Sequence, residues 1–61
     1  MDAKEIGQKI RTARRGKNLT QSQLAEILGY STQSVLAWEK GRSVPLLLVF
    51  EKIKEVLEMR K

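Results

Sequence analysis

The side chains with the plainest chemistry in this sequence are amides, hydroxyls and cations. Gln21 stands apart, Ser31, Thr32, Gln33 and Ser34 run together, and Lys40, Arg42 and Ser43 follow. Such groups exchange hydrogen bonds or offer fixed positive charge; none forms a nucleophile with a base beside it. The chain has no histidine and no cysteine, which removes the common zinc-ligand patterns and any disulfide framework. Neither a glycine-rich phosphate loop nor a convincing pair of carboxylates is present. Catalysis is therefore the weakest class of function, and no cofactor, metal or small-molecule ligand is expected. The chemistry on offer is recognition.

Charge narrows what would be recognised. Twelve Lys/Arg against seven Asp/Glu leave +5, with a pI near 10.0. The excess is concentrated in residues 1–18, where Lys4, Lys9, Arg11, Arg14, Arg15 and Lys17 outweigh Asp2 and Glu5. A basic cluster of this kind suits a polyanion, although a solvated face would read the same way by charge alone. The longest unbroken apolar run, Leu46 to Phe50, is far shorter than the roughly 20 residues of a membrane-spanning helix. The polar, charged start and the lack of cysteine fit a cytoplasmic location.

The elements that must hold these groups are helical. At 61 residues the chain reads as one domain, 1–61, near the lower size limit for independent folding. Asp2 with Glu5 forms a capping-box pattern, and Ile6, Ile10 and Ala13 make one buried stripe before Gly16, Lys17 and Asn18 end the first helix. Thr20 with Gln23 opens a second, with Leu19 and Leu24 in staple positions and Leu24, Ala25 and Leu28 facing inward. Gly29 suits a left-handed helix end. Ser31 then caps a third helix, from about Thr32 to Lys40, with Tyr30 and Val35 as its staple. On that helix Val35, Trp38 and Glu39 fall on one side, and Gln33, Ala37 and Lys40 on the other, flanked by Leu36 and Thr32. Pro45 suits the first turn of a fourth helix reaching about residue 59 and burying Leu47, Phe50, Ile53 and Leu57.

These residues resemble a known family. Residues 21–40 are similar to the twenty-residue helix-turn-helix of phage repressors and Cro proteins, the Xre-type group. Gln21 stands first, Leu24 and Ala25 fourth and fifth, Gly29 ninth, Val35 fifteenth and Trp38 eighteenth. The likeness extends through IGQKIRTAR before the unit and WEKGRSVP after it, over about residues 6 to 57.

The resemblance implies an all-α, compact four-helix domain of the lambda-repressor type, five-helix in many members, that regulates transcription by binding double-stranded DNA. It implies that Thr32, Gln33, Leu36 and Ala37 face base edges from the third helix. A Gln amide can pair with both N6 and N7 of adenine, and an alanine can meet a thymine methyl. By the same likeness Gln21, Lys40, Arg42 and Ser43 contact phosphates, while Arg14 and Glu39 form a structural ion pair joining the first and third helices. Trp38 reads as core rather than as a base-stacking platform. No contact is assigned to Arg11, Arg15 or Lys17.

The fourth helix departs from family habit. Leu46, Leu48 and Val49 occupy commonly polar positions, and Leu46, Val49, Ile53, Val56 and Arg60 form a second stripe. Leu46, Val49 and Val56 are thus candidates for a symmetric homodimer interface, which would let two copies read a palindrome as a repressor. The competing reading is an antitoxin or adaptor that uses the same fold to meet a partner protein.

Overall fold

The computed structural model describes residues 2–59, in which the chain forms α1 (Ala3–Gly16), α2 (Gln21–Leu28), α3 (Thr32–Glu39) and α4 (Leu47–Val56). The first three begin on polar caps. The Asp2 carboxylate accepts from the Glu5 N–H at 2.8 Å, and Glu5 Oε1 accepts from the Asp2 N–H at 3.2 Å. Thr20 and Gln23 exchange the same pair of bonds at the start of α2, at 3.0 and 2.8 Å. Ser31 Oγ accepts from the Ser34 N–H at 3.2 Å. Each cap satisfies donors that a helix start otherwise leaves bare.

Two glycines close helices in the same manner. Gly29, at φ +77°, sends its N–H to Glu26 O and lets the Tyr30 N–H reach Ala25 O at 2.9 Å. Gly41, at φ +76°, does likewise, with its N–H on Trp38 O and the Arg42 N–H on Ala37 O at 3.0 Å. Both are Schellman ends, which need a residue free of a Cβ penalty in the left-handed region. The second one stops α3 at Glu39, one residue short of the expected Lys40, which becomes its cap.

The core is Ile10 from α1, Leu24, Ala25 and Leu28 from α2, Val35 and Trp38 from α3, and Ile53 with Leu57 from the C-terminal segment. Tyr30 rests on Trp38, their ring centroids 5.5 Å apart and tilted by 57°. A contact the sequence reading missed sets the distance between α1 and α3. Gly7 is buried, and a Cβ there would collide with the carbonyl oxygen of Trp38 and lie 2.8 Å from that of Glu39.

The fourth helix differs most from expectation. It starts at Leu47, so Pro45 lies ahead of the cap position rather than in the first turn. Leu46 occupies that cap with no side-chain hydrogen bond to give. The helix ends at Val56 because Glu58 turns left-handed (φ +55°) and the Met59 N–H bonds back to Lys54 O. Ile53 and Leu57 define the inward line, and Leu47 projects about 100° around the helix from it. Leu47 is consequently 73% exposed rather than buried, and Phe50 is only half-buried. Val49 and Val56 lean on the core, whereas Leu46 and Leu48 stand bare at 74% and 82%. Arg60, the end of the second stripe, lies outside the described residues.

Replacing Gly7 with alanine pushes a methyl group into two backbone carbonyls that cannot rotate away. The expected cost is about 3 kcal/mol, the upper part of the usual overpacking range. Urea denaturation followed through the single tryptophan measures it, and a variant as stable as the parent would mean that α1 and α3 separate freely.

Candidate nucleic-acid interface

The turn between α2 and α3 is only three residues, Gly29 to Ser31, so α3 is set by the end of α2 rather than by a loose tether. Val35, Trp38 and Glu39 anchor its inner side. Its outer edge is bare: Thr32 and Gln33 are exposed, and Leu36 and Ala37 are half-exposed. Thr32 Oγ1 lies 3.1 Å from Ser22 Oγ on α2, a link the sequence did not disclose. No hydrogen bond among the described residues engages the Gln33 amide. The edge is also free of charge, since residues 27–38 contain no ionisable side chain except the Tyr30 phenol. Cations begin immediately beyond it, with Lys40 and Arg42 exposed beside Ser43.

An ion-pair network lies under the start of α2 and the end of α3. Arg14 Nε donates to Glu39 Oε2 at 2.6 Å, and Arg14 Nη2 to Glu39 Oε1 at 3.1 Å. A third guanidinium bond, from Nη1, reaches the carbonyl of Leu19 at 2.7 Å. Both residues are buried, at 7% and 8% exposure. This forked geometry suits a buried charge pair, which survives desolvation only when its remaining donors and acceptors are also met. Among the described residues, no buried side-chain nitrogen or oxygen is left without a partner.

Gln21 is drawn into the same network. Its Nε2 donates to Glu39 Oε1 at 3.1 Å, so one of its two amide hydrogens is committed within the molecule and one remains. Composition and spacing gave no signal of this bond, because the partners are eighteen residues apart. Lys17, one of the N-terminal cations, is likewise occupied: its ammonium pairs with Glu58 at 2.8 Å. That contact holds the Glu58 carboxyl below the ordinary carboxylate range, first through the hydrogen bond and then through the charge of Lys17. Whatever this exposed pair contributes is present at neutral pH and is lost as pH falls through the lowered value.

No metal-ligand cluster occurs among the described residues, and none of their helices is long and apolar enough to cross a membrane. A short, fixed turn carrying a second helix whose outer edge is uncharged and exposed is the arrangement of a helix-turn-helix domain. Comparison with known proteins gives the family. Residues 10–60 match the helix-turn-helix family HTH_3. The HTH-type transcriptional activator BcrR of Enterococcus faecalis is 46% identical over 41 residues, 67% of this chain and 20% of that protein. Multiprotein-bridging factor 1a of Arabidopsis thaliana is 36% identical over 53 residues, 87% of this chain and 37% of that protein. An uncharacterised HTH-type transcriptional regulator of Methanothermobacter thermautotrophicus is 42% identical over 48 residues, 79% of this chain and 70% of that protein. The chain belongs to this Xre/Cro-like helix-turn-helix family of transcriptional regulators, and it spans only 20% and 37% of the first two relatives.

Removing either member of the buried pair leaves the other charged and alone. Arg14→Ala and Glu39→Ala are each expected to cost about 3–5 kcal/mol in chemical denaturation. The double variant should fall short of the sum of the two losses, and strictly additive losses would mean the charges do not interact.

Proposed function

We propose that this protein is a sequence-specific reader of double-stranded DNA that lays α3 in the major groove. Thr32 and Gln33 read base edges at the N-terminal end of the helix, with Leu36 and Ala37 meeting apolar base groups beside them. Lys40, Arg42 and Ser43 hold phosphates beyond the helix, and Gln21 donates its remaining amide hydrogen to another. The observation that carries this reading is the exposed, uncharged edge of α3, where no hydrogen bond among the described residues engages the Gln33 amide, bordered by the exposed cations Lys40 and Arg42. A helix meant only for solubility would carry charge there, and one meant for the core would be covered.

The protein acts on this reading as a homodimer on palindromic sites. Half-sites one turn of DNA apart put the two reading helices about 34 Å from each other. The body measures 28 × 24 × 20 Å, so two copies at that spacing sit side by side. Leu46, the barest of the three candidate interface residues, meets the second copy, and Val49 and Val56 support it from their half-buried positions. Occupying a promoter in this way excludes polymerase, and repression is the proposed outcome. Adaptor function is the second reading: the bare Leu46, Leu47 and Leu48 favour it, as does the likeness to a protein named as a multiprotein-bridging factor.

Selection of binding sites from a random duplex pool tests the proposal by reporting preference, palindromy and spacing together. A Gln33→Ala variant should lose about 1–3 kcal/mol at one position per half-site and relax the preference there. Lys40→Ala should weaken all sequences alike. An adaptor would return an unenriched pool. Sedimentation at micromolar concentration tests pairing, with Leu46→Glu preferred to a change at Val49 because Leu46 does not touch the core. Wild type and variant that both sediment as monomers, on DNA as well as off it, would remove the dimer.

A further inference from the structure

We infer that Lys4, at the start of α1, is a further DNA-backbone contact, forming one cationic clamp with Lys40 and Arg42 around the Gly41 turn. The inference rests on the proposed phosphate grip at the end of α3 and extends it to a helix far away in sequence. The carrying observation is how closely the two segments meet. A Cβ on Gly41 would lie 2.8 Å from Lys4 Cγ, 3.1 Å from Lys4 Cα and 3.3 Å from its backbone nitrogen. The first turn of α1 is therefore pressed against the very residue that separates Lys40 from Arg42.

The three residues Lys4, Lys40 and Arg42 consequently meet at Gly41. All three residues are exposed, and no ion pair among the described residues engages any of them. Of the nearest acids in sequence, Asp2 and Glu5 turn their carboxylates to backbone N–H groups of the helix start, and Glu39 is bonded to Arg14 and Gln21. Three cations against these two cap-bound carboxylates leave a local excess of positive charge, which a polyanion would offset. Lys9 differs although it lies on the same helix: it borders a shallow groove with Gln8, Thr12, Ala13 and Met59.

Salt dependence of DNA affinity tests the assignment, because each neutralised phosphate contributes about 0.9 to the slope of log affinity against log salt. Lys4→Gln retains the Cγ that lies against Gly41 and replaces the ammonium with a shorter, neutral amide. It should lower the slope by about 0.9 on selected and random duplexes alike, so that its deficit relative to wild type is about 3.5-fold larger at 50 mM than at 200 mM salt. Lys9→Gln, with the same change in net charge, should leave the slope as in wild type. Equal slopes for Lys4→Gln and wild type, or an equal fall for Lys9→Gln, overturn the inference. Lys40→Gln separates this failure from a larger one. If it lowers the slope while Lys4→Gln does not, only Lys4 is misassigned; if no variant changes it, the phosphate grip itself is wrong.

Discussion

The buried bond between Arg14 and Glu39 is the constraint on which the arrangement depends. One guanidinium reaches the end of α3 and the carbonyl of Leu19 just before α2, while the carboxylate it holds also receives the Gln21 amide. Three helices thus converge on two charged side chains. Apolar burial is non-directional and sets the orientation of α3 less sharply than directed hydrogen bonds do. A forked ion pair has one good geometry, and a buried pair pays heavily for a poor one. It therefore fixes how α3 is presented, whereas the core mainly decides that α3 is packed at all.

Backbone chemistry does the remaining positioning. Polar caps start α1, α2 and α3, and glycines in the left-handed region end α2 and α3. Local preferences therefore agree with the tertiary contacts at each junction of the first three helices, which is what allows so short a chain to specify one arrangement. The start of α4 lacks that agreement. A leucine occupies its cap, no acidic residue stands in its first turn, and three leucines in succession are bare.

What could be read from the sequence follows the same division. Caps, the Gly29 turn and the inward faces of α1 to α3 were legible, because each is written in residues one to four positions apart. Leu47 was misread as core. Five consecutive apolar residues fit several helical faces equally well, and only the observed start of α4, with Ile53 and Leu57 turned inward, picks one. The role of Gly7 was hidden because a glycine inside a helix carries no periodic signal, and its reason lies in carbonyls about thirty residues away. The internal bond of Gln21 was hidden for a similar reason: its partner, Glu39, is on another helix. The outer edge of α3 was legible by type and by wheel position, while its link to Ser22 through Thr32 was not.

That outer edge has an evolutionary consequence. Thr32 and Gln33 contribute nothing to the buried core, and the Gln33 amide serves no internal partner. Substitution of Gln33 therefore removes no internal bond among the described residues, and replacing Thr32 removes only its exposed link to Ser22, so this edge can vary while the scaffold is inherited intact. A lineage of such chains can change what that edge displays one or two codons at a time, without first evolving a new way to stand up.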